Sequence, residues 1–128
     1  LYKYIVRGLL ARLLPDPVIV SDMPSSARAT LTRQTNERRH ILHLLYGAPQ
    51  VRGKQVPTGD GGYRVMEMIE DIPTLGSITA SVRLPQSPTR VYDALTGQDI
   101  AFRVDGQRVQ VTVPSLRIHA ALVFEGTA

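Results

Sequence analysis

The sequence predicts an all-β fold, an antiparallel two-sheet β-sandwich of eight or nine short strands with Greek-key-like connections and one N-terminal amphipathic helix. Three observations predict it. In the stretch Asp99–Val113 (DIAFRVDGQRVQVTV), Ile100, Phe102 and Val104 alternate with polar residues, Asp105-Gly106 intervenes, and Val109, Val111 and Val113 alternate again. Asp-Gly between two period-2 runs is a strong hairpin signal, because both central residues of a type I′ turn need φ > 0. Similar short runs recur roughly every 8–12 residues with Gly, Pro, Asn or Asp between them, the spacing of a sandwich. Only one segment carries helical periodicity, so βαβ units are excluded.

Residues 1–14 place Tyr2, Ile5, Val6, Leu9, Leu10 and Leu13 on one face, with Lys3, Arg7 and Arg12 elsewhere on the wheel. This is one amphipathic helix stopped by Pro15. Its stripe is wide for a lone helix, so it either packs on the sandwich or belongs to a preceding domain. Pro15-Asp16-Pro17 forces extended backbone. The division expected is a helix and linker, 1–17, from a preceding domain, then a sandwich accessory domain, 18–128.

Val18–Val20 reads as a short strand. Ala27, Ala29 and Leu31 alternate as a half-buried strand, and after the Thr35-Asn36 turn Arg38–Tyr46 returns as a more apolar, central one. The simplest register sets Leu31 opposite His40, Ala29 opposite Leu42, Ala27 opposite Leu44 and Arg33 opposite Arg38. Gly47–Gly62 has no periodicity and carries five Gly and two Pro, which predicts a long irregular loop, either functional or simply mobile, with mobile favoured. Arg64–Ile72 reads as one strand, Ile78–Leu84 as another, Arg90–Leu95 as a third turned by Thr96-Gly97. In the hairpin, an Asp105-Gly106 turn sets Phe102 opposite Val109 and Ile100 opposite Val111, giving a wholly apolar face. Ile118, Ala120, Leu122 and Phe124 form the last strand.

With 128 residues, 43% hydrophobic and a formal charge of +4, the chain is one ordinary globular domain's worth of sequence. Thirteen of its fifteen basic residues are Arg, scattered without a block, which argues against a nucleic-acid partner. Polyanion binding would fall to Arg28, Arg33, Arg38 and Arg39. There is no cysteine, hence neither disulfide nor thiolate metal site, and no apolar run long enough for a membrane span. The compartment stays open between cytoplasm and periplasm. The start at Leu1 reads as a cut from something longer.

Candidate chemistry is thin. His40 and His43 are three apart on a strand and point to opposite faces, and His119 is remote in sequence; all three read as structural, so no metal or other cofactor is expected. Glu67, Glu70 and Asp71 are the acidic cluster. Glycoside hydrolysis needs two carboxylates about 5 Å apart, or about 6.5–9.5 Å apart, facing across a cleft. Glu67 and Asp71 on one strand would be roughly 13 Å apart at the usual rise per residue, and nothing marks Asp93 or Asp99 as a partner. Ser25, Ser26 and Ser115 lack a nucleophile elbow, and Gly59, Gly61 and Gly62 lack the ending of a phosphate loop. No catalytic residue is assigned. Sugar stacking would use Tyr63 in the Gly-rich loop and Tyr92 on its strand, in the absence of Trp.

Four markers, His43-Leu44-Leu45, Ile69-Glu70-Asp71-Ile72, Val82-Arg83-Leu84-Pro85 and the Asp105-Gly106 hairpin, lie within a stretch from Leu13 to Phe124 that is similar to a known scaffold. It resembles the C-terminal β-sandwich of multidomain bacterial glycoside hydrolases of the β-galactosidase type that contain a trimerisation-like domain. The resemblance implies a parent hydrolase whose catalytic carboxylates lie on a barrel outside this sequence, and no family catalytic residue maps onto it. The expected role is a non-catalytic accessory domain that packs on upstream domains of the same chain, or within a homo-oligomer, with Ile5, Leu9, Leu10 and Leu13 as the contact. The alternative is a carbohydrate-binding module built on Tyr63, Tyr92 and loop 47–62.

Overall fold

The computed structural model describes residues 2–47, 49–51, 53–69 and 71–128. Helix α1 (Tyr2–Leu13) comes first, closed by a hydrogen bond from Leu14 N to Leu10 O of 2.8 Å before Pro15. Three strands follow, β1 (Ile19–Ser21), β2 (Arg28–Gln34) and β3 (Arg39–Leu45). An arm carries four two-residue strands, β4 (Gln50–Val51), β5 (Val56–Pro57), β6 (Tyr63–Arg64) and β7 (Glu67–Met68). The chain then returns as β8 (Ile78–Arg83), β9 (Arg90–Asp93), β10 (Phe102–Asp105), β11 (Arg108–Val113) and β12 (His119–Glu125).

Eight of these strands form two four-stranded antiparallel sheets, ordered β1-β8-β11-β10 and β2-β3-β12-β9. The inner faces meet as a sandwich. From the first sheet come the rows Ile19–Val82–Val109–Val104 and Ser21–Ala80–Val111–Phe102. From the second come Ala29–Leu44–Ala120 and Leu31–Leu42–Leu122. Leu42, Leu44, Ala80, Val82, Leu122 and Phe124 are 0% exposed. Burial of such side chains contributes about 1.5–3 kcal/mol each, which is what holds two sheets with little else between them. Strand β12 is central and buried on both faces from Ala120 to Phe124.

One polar bracket lies at the edge of this core, within the second sheet. The Thr127 hydroxyl donates to Phe124 O at 2.9 Å, so its oxygen is left to accept, and His40 Nδ1 lies 2.8 Å away. The arrangement requires the tautomer of His40 with its proton on Nδ1. Burial, and then the positive charge of Arg33, hold His40 below the ordinary imidazole range.

Several expectations are corrected. The β2–β3 register pairs Leu31 with Leu42, Ala29 with Leu44 and Arg33 with His40. The turn is Thr35–Arg38, with Arg38 N bonded to Thr35 O at 3.1 Å and Arg38 in the left-handed region at φ 52. This moves the pairing without changing which face each residue occupies, and it removes the Arg33–Arg38 opposition. The last hairpin is corrected in the same way. Phe102 pairs with Val111 and Val104 with Val109, because Gly106-Gln107, not Asp105-Gly106, is the two-residue turn. Gly106 supplies the positive φ of 58 at its first central position, as a type II′ turn requires. The apolar face survives the shift, but β10 is an edge strand and leaves Phe102 and Val104 partly exposed.

The described residues of 47–72 are neither a structureless loop followed by one long strand nor part of either sheet. They form a β-arm: β4 pairs with β7 (Gln50 opposite Met68), and inside it β5 pairs with β6 (Val56 opposite Arg64). The Arg64–Ile72 run is thus broken into β6 and β7, and Asp71 lies beyond β7. A two-stranded ribbon has no facing layer to bury its side chains, and β4 to β7 are exposed throughout.

Helix α1 does not pack on the sandwich. None of its described residues is buried. It is tied by polar contacts at either end: Lys3 Nζ donates to Ser25 Oγ at 2.9 Å, and beyond its C-terminus Asp16 accepts from Arg83 at 2.6 Å and from Arg108. These two guanidiniums hold the Asp16 carboxyl below its usual range.

Candidate functional site

The outer face of the second sheet follows from the register. Its rows run Arg28–Leu45–His119, then Thr30–His43–Ala121, then Thr32–Ile41–Val123–Tyr92. Alternation along β3 sends His40 inward and His43 outward, as the spacing predicts. Antiparallel pairing of β12 with β3 then sets His119 diagonally beside His43, where side chains are within reach.

His43 Nδ1 and His119 Nε2 are 3.2 Å apart. The ring planes agree within 6°, with centroids 5.4 Å apart. That centroid separation is nearly the N···N distance plus the two ring radii, so the rings meet edge to edge in a common plane rather than face to face. One N–H···N bond joins them, and the pair shares one proton between the facing nitrogens. Both side chains are half-buried.

Next to this pair lies an apolar concavity of about 600 Å³, where the base of the arm meets the sheet. Leu45, Ile69, Ile72 and Ile118 supply its apolar lining, Tyr46 and Pro49 complete it, and Ser26 and Arg28 are its polar residues. Its volume falls in the range of small-molecule sites. Ile118 has φ 70, and the hydrogen bond from His119 N to Arg117 O, 2.9 Å, closes a γ-turn around it. A β-branched residue in that conformation is strained. The turn is held by Tyr46 N donating to Ile118 O at 2.8 Å, and it delivers His119 to β12 in register.

The remaining predicted residues are dispersed. Tyr63 sits on the exposed arm opposite Pro57. Tyr92 is on the outer face beside Val123, with the Arg90 guanidinium 4.5 Å above its ring and Arg90 Nε bonded to Asp99 at 2.7 Å. Among the described residues no contact brings the two tyrosines together. Ile5, Leu9, Leu10 and Leu13 are 50–76% exposed. Asp99 is engaged by Arg90, and Asp93 accepts from Leu95 N at 3.0 Å, so each has a structural partner. Glu67 stands on the exposed ribbon, and Glu70 lies outside the described residues. Arg33, Arg38 and Arg39 are at the turn end of the β2–β3 hairpin and Arg28 is at the opposite end, which gives no single cationic cluster.

Sequence reasoning missed the His43–His119 pair and the concavity. Each depends on which distant segment pairs with β3, and no local pattern encodes that. A His within one apolar strand and another at the start of the other were the only signal available.

No protein-family model matches the chain, and no curated protein sequence matches it. Among solved structures it is similar to α-L-fucosidase isoenzyme 2 from Paenibacillus thiaminolyticus, with a TM-score of 0.83 and 35% sequence identity. The match covers 96% of this chain and 17% of that chain. The chain therefore corresponds to a small part of a glycoside hydrolase, and that part has the same sandwich fold.

Proposed function

We propose that the chain is a non-catalytic accessory β-sandwich domain of a glycoside hydrolase, which stabilises the parent by packing on its other domains or within its oligomer. The single observation that carries this reading is the match of nearly the whole chain to less than a fifth of an α-L-fucosidase. The exposed stripe of α1, with Ile5, Leu9, Leu10 and Leu13, supports it: an amphipathic helix with no buried residue in its own domain has its partner elsewhere. The fucosidase likeness favours an α-L-fucoside as the parent's substrate over the galactoside suggested by the sequence markers. The β-galactosidase resemblance then describes an arrangement of domains rather than a sugar.

Carbohydrate binding at Tyr63, Tyr92 and loop 47–62 is the weaker reading, since the two rings stand on separate elements and Arg90 covers one face of Tyr92. The test is turnover by the chain alone of chromogenic α-L-fucosides and β-galactosides. None is expected. Hydrolysis that Glu67→Gln or Asp71→Asn removes would overturn the proposal.

A further inference from the structure

We propose that His43 and His119 form a two-imidazole site for a divalent transition-metal cation of the Zn2+, Ni2+ or Cu2+ class. The inference is independent of the accessory-domain reading. It rests on the geometry of the pair, which the sequence alone places on remote strands.

A metal–imidazole bond is about 2.0–2.1 Å long. Two nitrogens 3.2 Å apart therefore subtend an angle near the tetrahedral value at a shared cation. Both side chains rise from adjacent central strands of one sheet, so most of the ordering cost of gathering the ligands is already met by folding. The neighbours of His43 on its row, Thr30 and Ala121, are small. Arg28, on the row of His119 beyond Leu45, is a cation on this face, and its side chain is exposed to solvent, where its repulsion is screened.

Binding requires a defined rearrangement of protons. In the free pair one facing nitrogen carries the shared hydrogen. To ligate, that ring moves to its other tautomer, with the proton on the outward nitrogen, and each ring turns so that its lone pair meets the cation. A neutral pair releases no net proton; a pair carrying one extra proton releases one. Among the described residues no third His, Cys, Asp or Glu joins the two, so solvent fills the remaining positions. The all-nitrogen donor set suits imidazole-seeking metals and not Ca2+ or Mg2+, which require oxygen ligands.

The chain contains three histidines, and His40 is an internal control, since it faces the core and is bonded to Thr127. In an NMR titration of the full chain with Ni2+ or Cu2+, the ring signals of His43 and His119 should broaden together and before those of His40. Calorimetry with Zn2+ should give one site with a Kd below about 0.1 mM, weakened about tenfold or more by His43→Gln or His119→Gln. Mg2+ should give no heat of binding. Absence of binding, binding unchanged in both variants, or broadening that begins elsewhere in the chain would each overturn the proposal. The wild-type titration stands even if a variant folds poorly.

Discussion

The sandwich and the helix-plus-arm are built from similar apolar residues and treat them in opposite ways. Val82, Leu42 and Phe124 are fully buried, whereas Leu9 is 55% exposed and Val51 63% exposed. The difference is not one of periodicity, since α1 is as clearly amphipathic as β8 or β11. It is the presence of a facing layer. Each sandwich sheet has the other across the core, while among the described residues α1 is fastened through Lys3 and Asp16, and the arm is a two-stranded ribbon whose strands are exposed. The same apolar side chain is structural in one region and available for contact in the other.

The sharpest way to test this contrast is Phe124→Ala, in the fully buried row of β12. It should cost about 3–5 kcal/mol of unfolding free energy, read from chemical denaturation. A loss under about 1 kcal/mol would mean that the two sheets are not packed as described. Thr127→Val should come next, with a loss of about 1–3 kcal/mol, because it removes the acceptor for a buried His40 N–H. That variant should leave the outer-face histidine signals unmoved.

The third effect is one of pH. His40 is held below the ordinary imidazole range in the folded state, so folding favours its neutral form. The unfolded chain takes up the proton once pH falls below about 6.5. The contribution is therefore fully present above that pH and lost as pH falls below it toward the folded value. Denaturation midpoints should decline over this window, and His40→Gln should flatten the decline. The smallest effect marks the other side of the comparison. Leu9→Ser and Val51→Ser should each change stability by no more than about 0.5 kcal/mol, while lowering self-association measured by light scattering. A core-sized loss from either would show that the helix or arm is packed after all.

The elements of the sandwich were legible because alternation marks a strand whatever it pairs with. β2, β8, β9 and β11 each fall where Ala29, Ala80, Val91 and Val111 alternate with polar neighbours, and β3 and β12 where the run is more continuously apolar. Register was less legible. Gly106 serves the first turn position rather than the second, and Arg38 adopts a conformation that a Gly or Asn would have announced. Both errors preserve face parity, so the predicted core held while the pairs did not. The arm was misread because Tyr63–Arg64 and Glu67–Met68 alternate like a sheet strand yet pair only with Val56–Pro57 and Gln50–Val51.

By itself, then, the sequence determined the fold class, the inward and outward sides of each sandwich strand and where the helix stops. Local sterics and hydrophobic period decide these, and both act over a few residues. Tertiary structure alone decided that β12 lies beside β3, that His119 therefore meets His43, that Ile118 is strained next to an apolar concavity, and that α1 lies open. These depend on contacts between segments far apart in the chain, where the free energy of pairing is set by whole faces rather than by any local pattern.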